Sequence, residues 1–227
     1  MLTLRTDPSQ LLPALDKTIT DLAYDFSGDG AFSFATEADV QAALFGRLRA
    51  NALFYTRTGN VRTELVHAEF PAFGAPWKGR ARYDLAIWHP GFSERARKKW
   101  GTPAWQWPEE LHRRINLIGI EIERFAGLTW DIRQYQMLSR EAQFVVTQRV
   151  REHADIRKLK AGWCQFGYFI MFWDDDVQDK QDLKTFFDCL HEAFVQLAQE
   201  DPKLHFYCIC RDGSIFRVPQ TYSQGRC

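Results

Sequence analysis

Asp84, Glu121 and Glu123 are the residues of this 227-residue chain whose types and spacing could do chemistry. They sit in two short segments, Arg82-Tyr83-Asp84-Leu85-Ala86-Ile87-Trp88 and Leu117-Ile118-Gly119-Ile120-Glu121-Ile122-Glu123-Arg124. Side chains alternate between faces along a β-strand. Glu121 and Glu123 therefore share one face with small Gly119, and Ile118, Ile120 and Ile122 share the other. In the first segment Asp84 and Ala86 point one way, and Tyr83, Leu85 and Ile87 the other. Paired strands would bring three carboxylates together on one side of a sheet whose other side is apolar. Such a cluster is costly unless a positive charge relieves it, and a divalent cation held by oxygen ligands is the usual solution. Glu-x-Glu also occurs on solvated strands, where the acids pair with Arg or Lys. The two segments together, in this order, favour the metal reading.

Other elements must position these acids. Residues 8–26 read as a helix, with Leu11, Leu12, Leu15, Ile19, Leu22 and Phe26 at helical spacing. Ser27-Gly28-Asp29-Gly30 ends it. Thr36-Glu37-Ala38-Asp39 resembles a capping box, with a shorter acid than usual at its last position, and opens a second helix through Val40, Ala43, Leu44 and Leu48. Phe54–Tyr55 and Glu64–Pro71 look extended, with Gly59-Asn60 as a turn between them. A turn from Phe73 to Gly79 leads to the Asp84 strand. An insertion rich in Arg, Lys and Trp, about residues 89–114, precedes the Glu-x-Glu strand. Residues 131–161 are polar and read as helical, and Gly167–Trp173 is a buried strand closed by Asp174-Asp175-Asp176. Residues 178–200 form an amphipathic helix through Leu183, Phe186, Phe187, Leu190, Phe194 and Leu197. Leu204–Cys210 is a strand, and Asp212-Gly213 turns it into Ile215–Val218. The tail from Pro219 looks loose. With no repeat and no long linker, a single α/β domain over residues 1–227 is expected: helices, a strand meander, then a β-α-β tail.

Composition narrows the class. Apolar residues are 45% of the chain, enough for a sizeable core. No stretch has the length of a transmembrane helix, and the N-terminus lacks the basic-then-apolar pattern of a signal peptide. A cytoplasmic protein without membrane attachment is expected. Five cysteines without C-x-x-C pairs argue against a disulfide framework or zinc ribbon. Cys208 and Cys210 share a strand face that excludes His205, so buried reduced thiols are expected. Net charge is zero but uneven: residues 1–77 carry 6 basic and 9 acidic side chains, 78–160 carry 17 and 10, and 161–227 carry 6 and 10. The positive middle third contains the acid cluster. A basic surface around an acidic pocket suits a polyanionic substrate whose reaction needs a metal. A solvated face of mixed charge would give the same counts.

The order helix with an acid, strand, turn, strand with Asp, strand with Glu-x-Glu, helix, strand resembles the PD-(D/E)xK nuclease superfamily, over roughly residues 36–175. The motif residues are Asp84 in Arg-Tyr-Asp-Leu-Ala-Ile-Trp and Glu121-Ile-Glu123 in Ile-Gly-Ile-Glu-Ile-Glu-Arg. Tyr83 replaces the proline before the Asp, and Glu123 replaces the usual lysine, as in some restriction enzymes of the superfamily. The resemblance implies a central mixed β-sheet flanked by helices, with a restriction-endonuclease-like core. It also implies a Mg²⁺-dependent endonuclease (Mn²⁺ also serving) that hydrolyses phosphodiesters, of DNA rather than RNA. Asp84 and Glu121 would hold the metal, and Glu123 would take the water's proton or complete a second metal site. Glu37 sits where the family often has an extra acid. Asp155-Ile156-Arg157-Lys158-Leu159 resembles a helix of some members, and Lys158 or Lys160 could supply the displaced positive charge. The alternative is a nuclease-fold protein without catalysis, acting as a nucleic-acid-binding or assembly module. A homodimer would suit cutting both strands of a duplex.

Secondary candidates complete the set. Glu69 and His67 share a strand face opposite Val66, Ala68 and Phe70, and could extend the acidic pocket, whereas Glu64 looks structural. Arg82, Arg95, Lys98, Lys99, Lys158 and Lys160 are candidates for phosphate contacts. Arg97 and the tryptophans Trp100, Trp105 and Trp107 add to the insertion's charge and aromatic faces, either for base stacking or as anchors of the insertion. Asp174–Asp176 reads as a capping turn rather than a metal site. Walker and Rossmann loops, a Gly-x-Ser-x-Gly elbow and H-E-x-x-H are all absent from the sequence.

Overall fold

A computed structural model describes residues 7–27, 34, 36–58, 61–74, 81–99, 101–103, 106–125, 139–173 and 180–219. Several expectations lie outside the described residues: the turns at Gly28–Gly30 and Gly59-Asn60, residues 75–79 of the next turn, residues 131–138, Asp174–Asp176, Trp100, Trp105, Cys227 and the tail beyond Pro219.

The chain is mixed α/β. Two helices come first, α1 (Pro8–Phe26) and α2 (Glu37–Ala50), and a 3-10 turn over Ala52–Phe54 follows where extended chain was expected at Phe54. Then come β1 (Tyr55–Thr58), β2 (Val61–Glu64), β3 (Val66–Pro71), β4 (Arg82–Trp88), α3 (Pro90–Lys98), α4 (Glu109–Ile115) and β5 (Asn116–Phe125). The remainder is α5 (Ser139–Glu152), α6 (Ala154–Ala161), β6 (Phe166–Trp173), α7 (Lys180–Glu200), β7 (Leu204–Cys210) and β8 (Ile215–Val218). Strands β3 to β8 form one sheet in sequence order, and β1–β2 is a separate hairpin. Pairing is antiparallel from β3 to β5, parallel from β5 to β7 through crossovers over α5–α6 and α7, and antiparallel again at β8.

Local chemistry explains the boundaries. Asp7 caps α1 by accepting the Ser9 N–H, with Pro8 at the first helical position. Thr36 and Asp39 make the reciprocal capping box expected at α2. Gly213 takes φ 85° in the β7–β8 turn, a backbone geometry that excludes most side chains.

The sheet separates two helical layers. Phe169 of β6 meets Phe194 of α7 on one face, whereas Tyr168 and Tyr207 reach Asp16 of α1 on the other. Ile118, Ile120 and Ile122 are fully buried, each worth about 2 kcal/mol of apolar burial, and they hold β5 at the centre of the sheet. Cys164, Cys189, Cys208 and Cys210 are buried free thiols. Among the described residues, no helix is long and apolar enough to cross a membrane.

Strand alternation fails at one position. Tyr83 was expected on the opposite face from Gly119, yet its ring occupies the space a Cβ on Gly119 would need, 2.7 Å from that point. The break coincides with Glu69, which has φ 51°; between the Ala68–Leu85 and Phe70–Tyr83 pairs the ladder skips Glu69 and Asp84. His67 packs against Phe70 and stacks on Trp88 at 3.7 Å, so this aromatic cluster, rather than the group of acids, takes up its ring.

Candidate active site

The Leu85–Ile120 pair sets Asp84 beside Glu121 at the next step of the β4–β5 ladder. Asp84 Oδ2 accepts the Ile122 N–H at 2.7 Å, which fixes its carboxylate across the gap between the strands. Glu121 is 1% exposed. On the same face of the sheet, α6 packs through buried Ile156 and Leu159; Gly167 of β6 lets Leu159 approach to 3.1 Å of where a Cβ would stand. One face of α6 thus turns Asp155 and Lys158, three residues apart, toward the acids.

Lys158 is the centre of the site. Its Nζ lies 2.6 Å from Glu121 Oε2 and 3.0 Å from Asp155 Oδ1, and donates to the Arg82 carbonyl at 2.8 Å. An ammonium has three N–H donors, and these three oxygens are the ones gathered around it. Lys160 points away and lies 3.9 Å from Glu200. Of the two lysines considered for a displaced charge, the fold brings Lys158 to the acids.

Glu123 faces the junction of α5 and α6, where its Oε2 is 3.7 Å from His153 Nε2. His153 Nδ1 is 3.8 Å from Asp155 Oδ2. Glu37, at the first turn of α2, completes the ring of acids: it accepts the Arg124 backbone N–H and interacts with Asp155 and Lys158. Glu69 stands exposed at the rim, where its Oε1 takes a 3.3 Å hydrogen bond from Gln41. Arg82 is also at the rim and exposed, one guanidinium N–H donating to the Glu69 carbonyl.

The electrostatics follow from this crowding. Burial first, then neighbouring carboxylates, raise the acids above their ordinary ranges: Asp84 to about 6, Glu123 to about 7, and Glu121 well upward. Glu37 also moves up, mainly by desolvation and then by Asp155. Burial holds His153 below the usual imidazole range, which favours the neutral ring. Five carboxylates therefore share one ammonium. Glu121 Oε1 has no hydrogen-bond partner among the described residues. A buried carboxylate oxygen without a donor is costly, and the all-oxygen donor set of Asp84 and Glu121 fits a hard divalent cation.

The basic insertion lies elsewhere. Helices α3 and α4 adjoin the Trp88–Asn116 end of β4 and β5, about 16 Å along the strand from Glu121 at ~3.3 Å per residue. Trp107 is buried against Phe70 and Trp88, so it anchors the insertion. Arg95 lies 3.7 Å from Glu110 and Lys98 3.1 Å from Glu94, exposed pairs of small energetic weight. Lys99 is exposed on the same segment.

Sequence reasoning missed His153 and Asp155 as members of the cluster. Asp155 carried a faint signal, lying three residues before Lys158, while His153 carried none, because the chain turn between α5 and α6 alone brings it to Glu123. Comparison with family models, with curated proteins and with solved structures found no match for this chain.

Proposed function

We propose that the chain is a metal-dependent phosphodiester hydrolase, a nuclease acting on DNA in preference to RNA. The observation that carries this reading is the arrangement of Asp84 and Glu121, adjacent across two strands, with Lys158 held at 2.6 Å from Glu121. The strand position where the resembling superfamily has lysine is Glu123 here, and the positive charge arrives instead from α6.

Asp84 and Glu121 would bind a Mg²⁺ or Mn²⁺ ion. Such an ion supplies charge for the phosphate oxygens and lowers the pKa of a bound water. The chain's own residues do the positioning. Ile122 N–H fixes one oxygen of Asp84, so the carboxylate presents the other outward. Lys158, clamped by Glu121, Asp155 and the Arg82 carbonyl, adds a fixed positive charge beside the reacting phosphate, where a preorganised dipole or charge acts most strongly. Arg82 and Lys99 supply exposed cations for the backbone of a polyanion.

Plasmid, linear and single-stranded DNA, and RNA, incubated with the protein in Mg²⁺, Mn²⁺ or EDTA, test this directly. Metal-dependent cleavage, abolished in Glu121→Gln, is the expected result. Absence of cleavage on every substrate by folded protein would refute it and favour a nucleic-acid-binding module that keeps the acids without using them.

A further inference from the structure

We infer that Glu123, His153 and Asp155 form a second cation site, of mixed nitrogen and oxygen ligands, selective for divalent transition metals such as Mn²⁺ or Co²⁺ over Mg²⁺. One ligand atom from each residue lies within 4.8 Å of the others. Ligand atoms around one such ion, at about 2.1 Å from it, stand about 3–3.5 Å apart. The two measured separations, 3.7 Å from His153 Nε2 to Glu123 and 3.8 Å from His153 Nδ1 to Asp155, are too long for hydrogen bonds. The two separations run from different ring nitrogens, and an imidazole gives an ion only one of them, so one of the two carboxylates must rotate toward the nitrogen that binds.

Three further observations point the same way. His153 Nδ1 is buried and has no hydrogen-bond partner among the described residues. The ring is held in place, standing edge-on to Phe169 at 5.3 Å, at the N-cap of α6. Asp155 divides its carboxylate between two tasks: Oδ1 goes to Lys158 at 3.0 Å and Oδ2 faces His153. Lys158 thus stands between the two acid groups and orients one carboxylate of each. Glu37, near Glu123 and Asp155, adds negative charge without being needed as a ligand. An imidazole ligand sets the choice of metal, because a nitrogen donor favours Co²⁺ and Zn²⁺ most and Mn²⁺ less, whereas Mg²⁺ keeps to oxygen and water.

The site deepens the nuclease reading and rests on it only through Glu123, which it makes a metal ligand rather than the base. It also predicts better activity in Mn²⁺ than in Mg²⁺. The decisive experiment is metal binding, not turnover. Protein stripped with EDTA is titrated with Mn²⁺, and the free ion is followed by electron paramagnetic resonance, for wild type, His153→Gln, Asp84→Asn and the double variant. Two ions are expected in the wild type, one in each single variant and none in the double. With Mg²⁺ as competitor, the ion left in Asp84→Asn should be displaced at least tenfold less readily than the one left in His153→Gln. A second readout avoids the substituted histidine: Co²⁺ added to Asp84→Asn should shift or broaden the His153 ring resonances. Unchanged stoichiometry in His153→Gln, with undisturbed ring signals, would overturn the second site. One ion lost only in Asp84→Asn would overturn it while leaving the proposed catalytic metal. Ions lost only in His153→Gln would keep this site and refute the Asp84–Glu121 metal.

Discussion

Two acids lie against opposite faces of the same sheet, Asp16 half-buried and Glu121 fully buried, and their surroundings differ. Asp16 of α1 is fully answered. Tyr207 Oη donates to its Oδ1 at 2.7 Å, Tyr168 Oη to the same oxygen at 3.3 Å, and Arg217 to its Oδ2 at 2.6 Å. Glu121 is more deeply buried, yet it has Lys158 on one oxygen and nothing on the other among the described residues. Four more carboxylates crowd the same space. A complete set of donors around a half-buried acid is a structural joint, here docking α1 on β6, β7 and β8. A buried acid short of donors is a reserved place. The fold tolerates the deficit, and deficits of this kind gather where a ligand completes them.

The comparison breaks most sharply on activity. Asp84→Asn should lower DNA cleavage at saturating Mg²⁺ by about 10³-fold or more, equivalent to ~4 kcal/mol of transition-state stabilisation. Asp16→Asn should leave kcat within about twofold, provided the assay temperature lies well below its reduced Tm. Equal losses in both would show that the two regions do not divide between structure and chemistry.

Stability should run the other way. Replacing Asp16 by Asn takes from Arg217 its charged partner and should cost about 3 kcal/mol in urea unfolding, in the range for breaking a buried pair by removing one member. Glu121→Gln in EDTA should be neutral or stabilising by about 1 kcal/mol, because it removes a desolvated charge and leaves Lys158 on Asp155 and the Arg82 carbonyl. A Glu121→Gln variant as unstable as Asp16→Asn would mean that the Lys158 pair is itself a structural joint.

The pH dependence of metal-free stability sharpens the same point. Asp84 rises from 3.8 to about 6 and Glu123 from 4.5 to about 7 on folding. The folded state then binds more protons than the unfolded one across that window, so these groups withdraw stability as pH rises from about 4 to about 7. His67 and His205, both lowered to about 4 by burial, act oppositely. Their contribution is common to wild type and variant and cancels in the difference. The stability of Glu123→Gln relative to wild type should therefore grow with pH from about 4.5 to about 7 and then level off, as read by Tm in EDTA. Saturating Mn²⁺ should reduce the difference or reverse its sign. A flat difference curve would show that neither burial nor the neighbouring acids raise Glu123 on folding.

Much of this was legible in the residues. The capping box at Thr36, the apolar stripe of α1 and the alternating isoleucines of β5 are local signals, and local physics decided them. The pairing of Asp84 with Glu121 followed from alternation plus strand adjacency. Alternation failed at Tyr83 because one backbone torsion, at Glu69 on the neighbouring strand, is not written in the sequence of β4. The site's other half was illegible for a related reason. His153, Asp155 and Lys158 reach the acids only through the way α6 packs by Ile156 and Leu159 on β5 and β6, a tertiary choice. Lys158 and Lys160 are alike in sequence and two residues apart. A helix turns about 100° per residue, so they differ by about 200° around α6, and packing alone decides which one meets Glu121.

The smallest expected effect grades the structural joint from within. Tyr207 and Tyr168 both donate to Asp16 Oδ1, but at 2.7 Å and 3.3 Å. A hydrogen bond to a charged acceptor contributes about 1.5–3 kcal/mol when short and well aligned. Tyr207→Phe should therefore lose about 1.5 kcal/mol and Tyr168→Phe about 0.5 kcal/mol, with cleavage unchanged in both. The Tyr168 ring would keep its parallel stack on His205 at 4.6 Å, so its loss is the hydroxyl's alone. A double-mutant cycle with Asp16→Asn separates the bond from the packing. Each tyrosine's effect should vanish in the Asp16→Asn background if the donor set is what holds α1. Effects that persist there would place the stabilisation in the rings, and Asp16 would then be less fully answered than its three contacts suggest.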